Sequence, residues 1–179
     1  PEIDTGVHVM LVVDYAASQG YPLEVRFAAL MHDLGKGLTP PSQWPSHHGH
    51  EGEGLKLLEA VSKRLKVPNE CRDLALMTAR EHGVLAQARA LDAEALVTMF
   101  ERSDAFRKSD RFAQMLLATR CHAADPEHDP AGDWLLRALG AARGVDAGAV
   151  AARCAQRDRI AQAVHLARVD AVAAICNKV

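Results

Sequence analysis

Apolar residues recur along this chain at helical spacing, and no segment alternates apolar with polar in the way a strand requires. A first helix is predicted from Asp4 to Ser18, with His8, Leu11, Val12 and Tyr15 on one stripe. Gly20 and Pro22 punctuate it, and Pro22 suits the first turn of a second helix. Phe27, Leu30, Met31 and Leu34 are its expected buried face, and Gly35 and Gly37 its end. Residues 39–46 hold three prolines and read as a loop. A third helix carries Leu55, Leu58, Val61 and Leu65. A fourth starts at Pro68, with Cys71, Leu74, Ala75 and Thr78 in one stripe and His82 in register at its end. Asp92 is the expected N-cap of a fifth helix, on which Val97, Phe100 and Asp104 share a face. Beyond Arg111 the pattern gives a helix to Ala123, an acidic loop over 125–129, shorter helices, and a last helix from Gln156 to Asn177.

Composition narrows this to an all-α fold. Hydrophobic residues make up 49% of the chain but aromatics only 4%, so the core rests on Ala and Leu, which let helices approach closely. A net charge of −2 offers no global basic field, and any RNA contact has to come from a local patch. Cys71, Cys121, Cys154 and Cys176 form no C-x-x-C and read as thiols of a reducing compartment, which is the basis for expecting a cytoplasmic protein. No apolar run is long enough to span a membrane, and no signal sequence is visible. The chain opens at Pro1 without an initiator Met, which suggests a piece of something longer.

Candidate chemistry centres on His32-Asp33. An imidazole and a carboxylate flanked by apolar residues are costly to bury without a partner, and a divalent cation satisfies both. The mixed N/O donor set suits Ni, Mg, Mn or a similar ion. His8 and Asp104 also sit on otherwise apolar helix faces, and four such polar groups stabilise one another if they gather around one ion. The alternative is an ordinary His–Asp pair at a helix end.

His … His-Asp … Asp on a helical core resembles the HD superfamily of metal-dependent phosphohydrolases, with His8, His32, Asp33 and Asp104 at its ligand positions. More narrowly, PEIDTGVH, ALMHDLGKGLTP, HHGHEGEG, FERSDAFRK and the closing ARVDAVAA are similar to the HD domain of bacterial multifunctional CCA proteins, the tRNA nucleotidyltransferases that maintain the tRNA 3′ end. The weakest likeness is between Ala123 and Arg157. The resemblance implies hydrolysis of 2′,3′-cyclic phosphates, 2′-phosphorylated nucleotides and other phosphomonoesters, with a divalent metal required and nickel favoured for some activities. The Gly-Ser pair and strand-borne carboxylates of a nucleotidyltransferase are missing from these residues, so nucleotide addition is not expected of this chain alone.

Other residues are assigned around that site. Asp33 is expected to orient the attacking water as well as to bind metal, and Lys36 to offset charge on the phosphoryl oxygens; a solvated lysine is the alternative. His47 and His50 fit the family string and precede a helix whose N–H groups favour phosphate, while His48 departs from it and receives no role. His82 reads as a phosphate-binding or supporting group, or as a satisfied core histidine. Arg107 reads as a substrate contact or a surface arginine. We divide the chain into a phosphohydrolase domain over 1–110 and a helical extension over 111–179. There Arg143, Arg153, Arg157, Arg159 and Arg168 either contact tRNA phosphates or line a solvated face. Two alternatives stay open: a stand-alone HD hydrolase of free nucleotides, and a catalytically silent helical module for tRNA.

Overall fold

The computed structural model describes residues 4–85, 87–123, 127 and 130–176, all helix, turn or loop with no strand among them. The helices are α1 (Thr5–Ser18), α2 (Leu23–Met31), α3 (His50–Leu65), α4 (Asn69–Leu85), α5 (Ala93–Arg102), α6 (Ser109–Arg120), α7 (Pro130–Arg143), α8 (Ala147–Arg153) and α9 (Ile160–Cys176). The fold is therefore the all-α one expected. Among the described residues no helix is long and apolar enough to cross a membrane. The chain forms two compact units, one from 1–86 with 113–129, the other from 87–112 with 130–179. The units thus interleave and do not follow the expected boundary at 110/111: the chain returns to the first unit part-way along α6, whose apolar residues carry the path onward without a loop.

In the first unit α2 packs on α1 and α4, and α4 on α3. Asp4 starts α1 by accepting Gly6 N–H at 2.7 Å and Val7 N–H at 3.0 Å, two of the donors that a helix N-terminus leaves without partners. Val12 and Ala16 face inward against Ala29 and Cys121. Leu11, expected in the buried stripe, is 65% exposed. A similar correction holds for α2. Its buried residues are Val25, Ala28 and Ala29, while Leu30 is exposed and Phe27, Met31 and Leu34 are only partly covered. A helix held between two others buries the residues small enough for close approach, and the larger ones move to the flanks. Leu65, at the end of α3, is exposed too. In α4 the stripe of Cys71, Leu74, Ala75, Thr78 and His82 is buried as its spacing requires.

The α-helical part of α2 ends at Met31, earlier than expected, and a 3₁₀ turn runs over Leu34–Leu38. His32 and Asp33 sit at the joint between them. That turn lies directly on the start of α3. A Cβ on Gly35 would run into the carbonyl oxygen of His50 and stand 2.8 Å from Gly54 N, while a Cβ on Gly54 would stand 3.0 Å from Gly35 N. Two glycines thus let two backbones touch.

In the second unit α9 packs on α5, α7 and α8, and α5 on α7. Asp92 caps α5 as expected, accepting Ala95 N–H at 2.8 Å, and the core includes Leu96, Phe100, Phe112 and Leu135. His165 on α9 places Nδ1 2.9 Å from Glu101 Oε2 and Nε2 2.8 Å from Glu94 Oε1. Both nitrogens donate only in the imidazolium form, and the bonds to Glu101 and then Glu94 raise its pKa against the opposing effect of burial.

Two predictions follow from this packing. Gly35→Ala should lose about 1–3 kcal/mol of stability in urea melts, the usual cost of overpacking, because the clash is with backbone. The difference in stability between the native chain and His165→Gln should be full below the unfolded imidazole value of about 6.5 and vanish as pH rises through the higher folded value. Melts at pH 6 and pH 9 measure it; an equal difference at both would rule out the charged form as the source.

Candidate metal centre

Asp33 is the hub of the first unit. Its side chain is 3% exposed, and different groups meet each of its oxygens. Oδ2 faces Lys36 Nζ at 2.7 Å, His32 Nε2 at 3.0 Å and His8 Nε2 at 3.8 Å. Oδ1 faces His50 Nε2 at 3.2 Å and His82 Nε2 at 3.4 Å. Each group comes from a different place: His8 from α1, His32 from the end of α2, Lys36 from the 3₁₀ turn, His50 from the first residue of α3, and His82 from the last turn of α4.

The backbone fixes how the imidazoles point. His32 Nδ1 lies 2.7 Å from Ala29 O, His50 Nδ1 2.9 Å from His47 O, and His82 Nδ1 3.0 Å from Ala79 O. A carbonyl only accepts, so each Nδ1 carries a proton and each ring turns its Nε2 inward toward Asp33. His50 Nε2 and His82 Nε2 then stand 3.2 Å apart, and the buried Nε2 of His32 faces Asp33 Oδ2 at 3.0 Å. Imidazole nitrogens converging on a carboxylate call for a cation or for protons. Ligand nitrogens held from behind by backbone carbonyls are the arrangement found around bound metals.

Among the described residues, two donor groups have atoms within 4.8 Å of one another: His8, His32 and Asp33, and Asp33, His50 and His82. They share Asp33, and their nitrogen and oxygen donors fit a borderline divalent ion. Electrostatics agree with that fit. Burial works to raise the Asp33 pKa, but the bonds from His32, His50 and His82 overcome it and hold the carboxyl far below the usual carboxylate range. The bond to Asp33 raises the pKa of His50 despite burial.

The structure therefore gathers His8, His32, Asp33, Lys36, His50 and His82. His47 supports His50 through its carbonyl, while its own ring bonds Thr39 Oγ1. His48 is exposed. Asp104 belongs to the second unit, at φ 53°, with Arg107 Nε 3.5 Å and Arg111 guanidinium 3.9 Å from its carboxylate. The side chain of Arg107 is 79% exposed. Neither is in the donor groups above.

One residue was missed. The ring of His122 stacks on His32 with centroids 4.8 Å apart and planes 17° apart, and its centroid lies 5.6 Å from that of His82. Burial, then the neighbouring His32 and His82, push its pKa down to about 3, which keeps it neutral. The signal was present in the sequence: His122 continues the stripe of Met115 and Ala118 one turn on, as His82 continues that of Thr78.

Comparison with known proteins adds the family. The HD domain model matches residues 5–167. Proteins named "Multifunctional CCA protein" are 53% identical in Herminiimonas arsenicoxydans, over 100% of this chain and 46% of the relative. In Janthinobacterium sp. (strain Marseille) the figures are 54%, 99% and 45%, and in Burkholderia lata 56%, 97% and 43%. The chain thus spans less than half the length of these relatives. No solved structure matches. With a His-Asp hub satisfied by imidazoles from three further helices, and a family match over nearly its whole length, the chain belongs to the HD domain family of metal-dependent phosphohydrolases.

Proposed function

We propose that this chain is the phosphohydrolase part of a multifunctional CCA protein. In this reading it acts as a 2′,3′-cyclic phosphodiesterase, 2′-nucleotidase and phosphatase on RNA ends and nucleotides, in the cytoplasm where tRNA 3′ ends are maintained. The observation that carries the reading is the Asp33 carboxylate, buried between imidazoles whose Nε2 atoms all turn toward it. The shared name of its relatives supports the tRNA context, and tRNA is the partner of the full-length protein in this reading.

When bound, a divalent ion (Ni, Mg, Mn or similar) supplies Lewis acidity toward a phosphoryl oxygen and makes a water acidic enough to attack near neutral pH. The chain's own residues supply the rest. Asp33 and the imidazoles of His8, His32, His50 and His82 hold the donors in place, and Asp33 also orients the water. Lys36, at 2.7 Å from Asp33, is within reach of the charge that develops on the phosphoryl oxygens. His122 keeps the His32 ring in plane by stacking. Asp33 is common to both donor groups that would hold a metal ion. Asp104 is retained as a further ligand on the family pattern alone, and Arg107 as a substrate contact.

The extension is proposed to contact tRNA. Arg143, Arg153, Arg157 and Arg159 are exposed and available to phosphates. Arg168 is otherwise engaged, with its guanidinium 3.7 Å from the Phe106 ring centroid and 3.4 Å from Glu101 Oε1. The presence of a full set of donors against Asp33 favours the hydrolase over a silent module, and the shared name of the relatives favours it over a stand-alone nucleotide hydrolase.

Two experiments test this reading. Asp33→Asn should bind no stoichiometric metal and lose at least about 100-fold in 2′,3′-cyclic AMP hydrolysis, with circular dichroism unchanged. Hydrolysis within a fewfold of the native chain would remove Asp33 from the mechanism. Metal affinity should fall with pH through a midpoint above the ordinary imidazole value of about 6.5, because the proton that competes for His50 is held by Asp33. Isothermal titration from pH 8 to pH 5 measures it, and an affinity independent of pH would exclude imidazole ligands.

A further inference from the structure

A cleft of about 400 Å³ opens beside Lys36, lined by Lys36, Gly37, Trp44, Pro45 and His47 with the start of α1 at Asp4. Its size falls in the range of about 300–1,000 Å³ typical of small-molecule sites. Apart from Lys36, its lining remains unused by the chemistry above. Trp44 is 59% exposed, although large aromatics are normally buried or partnered. Its indole is nevertheless held in place, since Nε1 donates to Thr39 O at 3.2 Å, and the His47 ring lies beside it with centroids 6.2 Å apart. The cleft is also polarised: Lys36 marks one part of its wall as cationic, and Asp4 marks another as anionic.

We propose that this cleft is the nucleobase subsite, with the Trp44 indole as the face on which the base stacks. The inference rests on the hydrolase reading. Lys36 joins the cleft to the centre, because its Nζ is 2.7 Å from Asp33 Oδ2 while its side chain lines the cleft wall. A substrate whose phosphoryl group lies at Asp33 and Lys36 therefore extends its nucleoside into the cleft. The carboxylate of Asp4 disfavours a second phosphate there and tolerates an uncharged base. An indole offers a π-face to any purine or pyrimidine, so the subsite selects for a base over no base and discriminates little between bases.

The test compares two cyclic esters that differ in the base: 2′,3′-cyclic AMP and glycerol 1,2-cyclic phosphate. The ratio of kcat/KM for the nucleotide over the glycerol ester should fall about tenfold in Trp44→Ala, mostly through KM, and recover in Trp44→Phe, as expected for loss and restoration of base stacking. A readout independent of turnover is tryptophan fluorescence with metal chelated. Adenosine 2′-monophosphate should quench the native chain saturably, and Trp44→Phe should lose the quench, since the remaining indole, Trp134, is buried. An equal fall on both esters, or no quench in the native chain, overturns the subsite. If the native chain hydrolyses neither ester, the hydrolase reading fails, and the fluorescence titration alone decides the subsite.

Discussion

A carboxylate buried to 3% exposure governs the first unit. The effective penalty for removing such an ion from water is several kcal/mol, and one partner rarely offsets it. Asp33 has five groups facing it, from α1, the end of α2, the following turn, α3 and α4. The demand for compensation therefore acts on every helix of that unit except α6, and His122 extends it to the end of α6. Geometry at one atom pair sets where five elements may stand.

The backbone meets that demand through small residues. Gly35 and Gly54 let the 3₁₀ turn touch α3, which brings the first residue of α3, His50, to Asp33 Oδ1. Ala28 and Ala29 do the same for α2 between its neighbours. An Ala-rich, aromatic-poor composition is thus part of the site: bulkier cores would hold the helices apart and leave the carboxylate without partners.

These relations explain what could be read in the sequence. Helix starts at Asp4 and Asp92 were legible because a capping carboxylate acts on donors two or three residues away. The α4 stripe was legible because one face of one helix carries it. His32 and Asp33 stood out as a charge among apolar residues. The inner face of α2 was not legible, because which side is buried depends on two neighbours and rewards small residues over large ones. His122 was overlooked for a related reason: a histidine at a helix end acquires meaning only when its stacking partner, ninety residues earlier, is known. The interleaving of the two units likewise depends on contacts far apart in sequence, and α6 carries no break in its pattern to mark the crossing.

The same arrangement links the site to stability. Imidazoles with Nδ1 committed to backbone carbonyls cannot turn away without losing those bonds, so Nε2 atoms at 3.2 Å separation are a permanent feature of the folded unit. Such crowding of donor nitrogens is relieved by a proton or by a divalent ion. Binding energy then appears as folding energy, since the unfolded chain holds no preformed donor set. A centre of this kind gives up some stability of the empty chain in return for donors already in position, which is the preorganisation that rapid phosphoryl chemistry requires.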